Sequence, residues 1–363
     1  MVSLSYSLLK PLLFSMAPER SHKVFETLLM RLHFLFPELK PGDLRTAVKI
    51  GNHTLDHPVI LAGGFDKYAR LYPYLKKLGF SSAELGSFTP EPQAGNDQPR
   101  LWRFSKQRAL LNRMGFNNCG LKTALKQLEG KPAPFPFAIS LGKQKSTALE
   151  DAASEYAGML REIEGHPCKE YLTYVAINIS SPNTVGLRKL QGKQFLNDFC
   201  KELRSATSLP LFAKLAPDFD SDGDFIEALK PPVENKFDGL ILCNTSQQYS
   251  LSGSTVLESI GNEHGGGLSG LPLAGLSKKR LLQARAELGD EIKIIASGSI
   301  MHESDVLDRI LAGADAVQVY TGLIYRGPRL ISAGVKLLSE FMDRNQIASL
   351  SELKQNRNKI SYQ

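Results

Sequence analysis

The chain has 363 residues, 42% hydrophobic and 22% charged, a globular composition long enough for a large core. A thinly spread net charge of +7 suits an anionic ligand or a membrane surface as well as nucleic acid, and selects none of them. The four cysteines, Cys119, Cys168, Cys200 and Cys243, have no C-x-x-C spacing, which argues against a disulfide framework or zinc site and for free thiols in a reducing compartment.

Residues 1–40 stand apart. Leu4, Leu8, Leu9, Leu12, Leu13 and Phe14 are interrupted only by Lys10, Pro11 and small polar residues. Pro18 fits the first turn of a second helix. There Val24, Phe25, Leu28, Leu29, Leu32 and Leu35 recur at helical spacing opposite Glu19, Arg20, Lys23, Glu26 and Arg31, until Pro37 and Pro41-Gly42 end the pattern. No uncharged run approaches the roughly 18–20 residues of a membrane span, and no apolar region leads to a cleavage site. The segment reads either as a helical pair packed on the main domain or as a two-helix device lying on a membrane.

Val48 to Leu55, with Gly51-Asn52 between short apolar runs, predicts a hairpin. From Val59 short apolar strands alternate with helical patterns. The strands are expected at Val59–Ala62, Ser82–Leu85, Phe137–Leu141, Tyr174–Ile179, Leu211–Leu215, Gly239–Leu242, Ile292–Ala296 and Ala316–Val319. Helical patterns such as Phe195–Ala206, Lys278–Leu288 and Ser304–Leu311 lie between most of them. The expectation is an α/β protein: a (β/α)8 TIM barrel over 41–345, an N-terminal two-helix extension over 1–40, and a polar tail over 346–363 in which Lys354–Lys359 is solvated.

In such a barrel chemistry sits at the C-terminal strand ends. Those ends carry Gly63-Gly64-Phe65-Asp66-Lys67, Gly86-Ser87, Gly142-Lys143, Asn178-Ile179-Ser180-Ser181, Lys214, Cys243-Asn244-Thr245, Ser297-Gly298-Ser299 and Tyr320-Thr321-Gly322. Amides, hydroxyls, glycines and lysines dominate, and no hydrolytic carboxylate pair or metal cluster is evident. Asn178, near the end of an apolar strand, either bonds neighbouring backbone or faces a ligand; left unpaired it would cost roughly 1–3 kcal/mol. Amides suit a ligand with imide-like edges, since they donate and accept at once. Gly and Ser after the last two strands suit a phosphate site, although each glycine alone is also a plain turn. The connections Gly86–Asn118 and Ser246–Gly270 are too long for simple links and read as lids or binding loops.

The motifs resemble those of the quinone-dependent (class 2) dihydroorotate dehydrogenases. The matching pieces are Gly64-Phe65-Asp66-Lys67, Thr89-Pro90, Gly95-Asn96-Asp97, Pro99-Arg100-Leu101, Asn112-Arg113-Met114-Gly115-Phe116-Asn117-Asn118, Ala176 to Thr184, Asn244-Thr245, Gly267-Leu268-Ser269-Gly270 and Gly327-Pro328. The resemblance implies an FMN barrel that oxidises dihydroorotate to orotate, passes electrons to a membrane quinone in pyrimidine synthesis, and sits peripherally on the cytoplasmic face of a bacterial cell membrane, with no nucleic-acid partner. It implies Ser181 as the base, with Thr184 and Phe116 around its proton path. It implies Lys67, Asn112, Arg113, Met114, Gly115, Phe116, Asn178, Asn183, Asn244 and Thr245 at the substrate. Gly63, Gly64, Phe65, Asp66, Lys67, Ser87, Ser140, Asn178, Lys214, Cys243, Gly270, Ser299, Tyr320 and Thr321 are implied at FMN. His22 and Arg103 match positions near the quinone tunnel; as lone residues they read as surface or capping groups.

The chain departs from the family pattern at Ser140 and Gln144, where asparagine is usual, at Cys243, where threonine is usual, and at Ala296 and Ser299, which replace glycines. These changes bear on flavin affinity or redox tuning more than on substrate. Two rival readings stay open: a diverged FMN barrel acting on another cyclic amide or ene, and a flavin-poor barrel kept as a binding protein.

Overall fold

Short β-branched segments and amphipathic helices alternate through most of the chain, and the computed structural model shows what that alternation builds. It describes residues 2–35, 43–129, 133, 135–183 and 193–357. Two helices, α1 (Val2–Ser15) and α2 (Pro18–Leu32), come first, and Pro18 opens the second as its missing N–H allows. A hairpin follows, β1 (Val48–Ile50) and β2 (His53–Leu55). The later strands are β3 (Val59–Leu61), β4 (Ser82–Phe88), β5 (Leu101–Phe104), β6 (Ala109–Asn112), β7 (Phe137–Leu141), β8 (Leu172–Asn178), β9 (Leu211–Leu215), β10 (Gly239–Leu242), β11 (Gly267–Gly270), β12 (Lys293–Ser297) and β13 (Ala316–Val319). The helices after α2 are α3 (Tyr72–Leu75), α4 (Leu121–Leu128), α5 (Ala152–Glu164), α6 (Lys193–Ala206), α7 (Asp222–Glu234), α8 (Thr255–His264), α9 (Ala274–Leu288), α10 (Glu303–Leu311), α11 (Thr321–Arg326), α12 (Arg329–Arg344) and α13 (Leu350–Asn356).

Eight strands, β3-β4-β7-β8-β9-β10-β12-β13, close in parallel, with β13 paired back to β3. This is the expected (β/α)8 barrel. All eight strands fall where the apolar runs predict them, with ends displaced by at most a few residues. The two faces of each strand explain the interior. Ile60, Ala138, Tyr174, Ala176, Phe212, Ile241, Ile295 and Ala316 form one buried inner cluster, closed from below by Ile50 and Leu55 of the hairpin. Strand side chains repeat with period two. Two residues further along six of these strands stand Ala62, Asn178, Lys214, Cys243, Ser297 and Gln318, all on the wall of one cleft. The barrel thus changes from apolar plug to polar floor within one step.

The two long connections prove to be one element. β5 and β6 form a hairpin, and β11 joins it antiparallel, with Asn112 opposite both Leu101 and Gly267. This sheet packs Ala109, Leu111 and Leu268 against Tyr249 and Leu257 of the second connection. It lies across the barrel mouth, and α2 rests on β5.

The solvated tail needs correction. Residues 350–356 form α13, capped by the Ser349 hydroxyl, with Leu350 and Leu353 buried. Lys354 donates to Asp315, buried at the foot of β13, and Arg357 pairs with Asp290. A basic segment anchors here because buried Asp315 draws cations from several elements, Arg285 and Lys293 included. Residues 358–363, Pro37 and Pro41-Gly42 lie outside the described residues.

Candidate active site

The cleft at the barrel mouth encloses about 1330 Å³, including the open space at its mouth. An amide network crosses it. Asn178 Nδ2 donates to Ser87 Oγ at 3.0 Å. Its Oδ1 accepts from Ser180 Oγ at 3.2 Å and from Asn244 Nδ2 at 3.3 Å. Asn183 Nδ2 donates to Asn112 Oδ1 at 3.3 Å, and Asn112 Nδ2 donates to Gly267 O at 3.2 Å. Asn183 Oδ1 is buried with no partner among the described residues, as is Gln318 Oε1. Both residues line the cleft. A buried orphan acceptor is costly, so each points to a donor that arrives with a ligand.

Ser181 is buried on the same wall, and its Oγ accepts the Asn183 N–H at 3.2 Å. Phe116 sits nearby at φ +51°, a left-handed backbone that an aromatic residue rarely adopts. Its carbonyl is held by Asn118 Nδ2 at 2.7 Å and by Gln93 Nε2 at 3.3 Å, which fixes the strained turn. Lys67 lines the cleft half-buried, with no hydrogen bond or ion pair among the described residues. Burial pulls its ammonium below the ordinary lysine range, while Glu26 and Glu19 oppose that shift.

Under the cleft lies an ion pair. Lys214 Nζ is 2.8 Å from Glu84 Oε1, and both side chains are almost wholly buried. Tyr174 OH and Gln318 Nε2 donate to the other carboxylate oxygen. Gly63 is glycine because a Cβ there would meet Glu84 Oε1 at 2.3 Å. Gly270, Gly298, Ser299, Tyr320, Thr321 and Gly322 also line the cleft. Cys243 also reaches the wall, but burial pushes its thiol up to about 12, so it stays protonated.

A second cavity of about 620 Å³ lies under the helix pair. Its walls are mostly apolar: Leu13, Phe14, Phe25, Leu323 and Ile324 among them. It shares His22, Leu101, Leu110 and Tyr320 with the cleft. Arg103 caps the end of α1, donating to Phe14 O at 2.6 Å and Met16 O at 3.0 Å, with its guanidinium 4.2 Å from the Phe14 ring centre. His22 Nε2 lies 3.1 Å from Phe65 O and 3.0 Å from Glu26 Oε1. Since both partners accept, the proton sits on Nε2. Arg103 is therefore a capping group and a wall of the cavity at once.

The family model for dihydroorotate dehydrogenase matches residues 45–342. The chain is 38% identical over 347 residues to the dihydroorotate dehydrogenase (quinone) of Acidithiobacillus ferrooxidans, covering 90% of this chain and 93% of that protein. It is 36% identical to the protein of the same name from Erythrobacter litoralis, covering 96% and 98%. The chain belongs to the dihydroorotate dehydrogenase family. A crystal structure of DHODH in complex with ferulenol from Eimeria tenella superposes with a TM-score of 0.83 at 30% identity, over 94% of this chain and 97% of that one.

For a dihydroorotate dehydrogenase barrel, most of the expected site residues converge. Gly63, Gly64, Lys67, Ser87, Asn112, Met114, Gly115, Phe116, Asn178, Ser181, Asn183, Lys214, Cys243, Asn244, Thr245, Gly270, Ser299, Tyr320 and Thr321 all line the cleft. Four do not. Asp66 turns inward, where its carboxylate accepts the backbone N–H groups of Arg70, Leu71 and Tyr72 and shapes the loop after β3. The Phe65 ring faces the second cavity, edge-on to His22 and Tyr320. The Arg113 side chain is off the wall, and its backbone holds the turn through Arg100 and Asn96. Ser140 lies behind Ser87, with the two hydroxyls 2.7 Å apart, and reaches the cleft only through it. Thr184 lies outside the described residues. Sequence reading passed over Glu84 and Gln318; the signal was a lone polar residue on the inward face of an apolar strand.

Proposed function

We propose that the protein oxidises dihydroorotate to orotate with FMN as its resident flavin and a membrane quinone as final acceptor. The observation that carries this is the amide cluster of Asn112, Asn178, Asn183 and Asn244 around Ser181, with an unpaired lysine and an orphan amide oxygen left for a ligand. Gly63, Gly64, Ser87, Lys214, Gln318 and Tyr320 would hold the flavin, and the unpartnered Gln318 Oε1 and the glycine-lined wall fit such a group. When bound, it supplies the acceptor for the substrate's hydride.

The chain's own residues do the rest. The free ammonium of Lys67 takes the substrate carboxylate, and the amides take its ring N–H and C=O groups. Ser181 Oγ accepts the C5 proton. A serine is a poor base at its own pKa, so it needs an enforced geometry and a proton path, which the fixed Phe116 turn walls off from solvent. The hydroxyl oxygen faces the Asn183 N–H, which steadies charge that builds on it. Lys214 Nζ, seated 2.8 Å from Glu84 Oε1, offers a hydrogen-bond donor at the cleft floor. The apolar cavity under α1 and α2, ending at His22 and Tyr320, suits a quinone ring and its tail.

Leu8 and Leu12, one turn apart on α1, are 75% and 60% exposed, and Phe34 is 67% exposed. No helix among the described residues is long and apolar enough to cross a membrane. The exposed apolar edge supports peripheral attachment beside the cavity mouth, and the four free thiols agree with the cytoplasmic face. The test is the absorbance spectrum of the purified protein before and after anaerobic dihydroorotate. A yellow protein that bleaches is expected. A colourless protein, or one that dihydroorotate leaves yellow, overturns the reading.

A further inference from the structure

The helix pair reaches the substrate side of the cleft as well as the apolar cavity. Glu19, in the first turn of α2, accepts from Arg100 Nη2 at 2.7 Å and Nε at 3.2 Å, and from Gln98 Nε2 at 3.2 Å. The two charged side chains are only 20% and 12% exposed, so water screens the pair little. Arg100 Nη1 turns the other way and donates to Ala94 O at 2.7 Å and Asn96 O at 2.9 Å. That segment in turn carries the Arg113–Phe116 turn. Asn96 N donates to Met114 O at 3.0 Å, Asn96 Nδ2 to Arg113 O at 2.9 Å, and Gln93 Nε2 to Gly115 O at 2.8 Å. The packing leaves no slack: a Cβ on Gly95 would meet Met114 O at 2.3 Å, and one on Gly115 would meet the Asn96 side chain at 2.7 Å. Met114, Gly115 and Phe116 then form the cleft wall, which Glu19 itself also lines.

We infer that Glu19 is a positioning residue for the substrate: through Arg100 and Asn96 it holds the Arg113–Phe116 turn against the bound ring. The helix that roofs the apolar cavity therefore also completes the opposite pocket, and the two half-sites share a mechanical part. This rests on the reading above that the turn closes on dihydroorotate. Glu19→Gln keeps the size of the side chain but leaves the Arg100 charge uncompensated, so the guanidinium is free to relax away from its present seat. The Asn96 bonds reach Arg113 and Met114, while Phe116 keeps its own bonds from Asn118 and Gln93, so loss of the link falls on binding rather than on the proton transfer at Ser181.

The test is orotate binding to the oxidised holoenzyme, followed by the change in flavin absorbance, a readout that needs no turnover. Glu19→Gln should weaken orotate by about three- to tenfold, the loss of one charge-assisted contact acting at second hand. The KM for dihydroorotate with a soluble dye as acceptor should rise in parallel, with kcat within about twofold. Asn96→Ala cuts the same chain nearer the cleft. The double variant should bind orotate no more weakly than the weaker single one, since both changes break one path. Unchanged orotate binding in Glu19→Gln, or strictly additive losses in the double variant, overturns the inference. A yellow parent protein that fails to bind orotate at all overturns the underlying reading instead, and the two failures are told apart by the parent alone.

Discussion

The cleft at the barrel mouth and the cavity under the helix pair meet at His22, Leu101, Leu110 and Tyr320, yet they manage their polar groups in opposite ways. In the cleft, capacity is left over: Lys67 has no partner among the described residues, and Asn183 Oδ1 and Gln318 Oε1 are orphans. In the cavity, polar capacity is spent on backbone. Tyr6 donates to Ile324 O, Arg103 to Phe14 O and Met16 O, and His22 engages Phe65 O. Buried polar groups without partners await a polar ligand, whereas satisfied ones leave an apolar surface free for an apolar ligand. On the proposed reading, two adjoining pockets thus take a pyrimidine carboxylate and an apolar acceptor without confusing them.

The sharpest way to break one side alone is Ser181→Ala. Flavin reduction by dihydroorotate should fall by roughly 10²–10⁴ in a stopped-flow trace, while orotate affinity stays within several-fold. Ser181→Cys should retain more activity than alanine, because a thiol still takes the proton. An alanine variant reducing flavin at the parent rate would remove Ser181 from the mechanism.

The cleft floor is next. Glu84→Ala strands a buried ammonium and should cost about 3–5 kcal/mol of unfolding free energy by denaturant titration. The paired change Glu84→Leu with Lys214→Met should recover most of that, since an apolar pair of similar size suits the layer above Phe212 and Tyr174. If the single and paired changes are equally destabilising, the ion pair is not what makes Glu84 costly to remove.

On the other side, Leu8→Glu with Leu12→Glu should weaken binding to anionic vesicles by tenfold or more, at about 1.5–3 kcal/mol per leucine no longer buried. Turnover with a soluble dye should not change, because neither residue lines a cavity. Undiminished vesicle binding would show that α1 faces water rather than lipid. The smallest effect is expected at Ser299, whose φ of +58° lies in the left-handed region. Ser299→Gly should raise stability by about 1 kcal/mol or less, as relief of backbone strain is partly offset by a more flexible unfolded chain. A drop in thermal midpoint would mean that the hydroxyl contributes more than the strain costs.

Much of the cleft was legible in the sequence because its groups sit on strands. A strand's period of two puts Asn178 above Ala176 and Lys214 above Phe212 whatever surrounds them, and parallel closure brings those ends to one mouth. The motif Asn112 to Asn118 added the wall. The misplaced residues are instructive for the same reason. Asp66 follows a strand, but the loop after β3 turns its carboxylate onto the backbone at the start of α3. Ser140 does follow the strand period, but Ser87 from the neighbouring strand covers it. Lys354 reads as a tail residue until buried Asp315 is placed beside it.

The barrel, the ring of amides and glycines at its mouth, and the amphipathic helices ahead of it are written in local residue patterns. Three contacts appear only in three dimensions: two long connections pair as one sheet over the mouth, Glu84 meets Lys214 from 130 residues away, and Glu19 of α2 holds Arg100 beside the Arg113–Phe116 turn. Those contacts join segments far apart in the chain, and their energies depend on burial and facing geometry, which no local pattern of residues encodes.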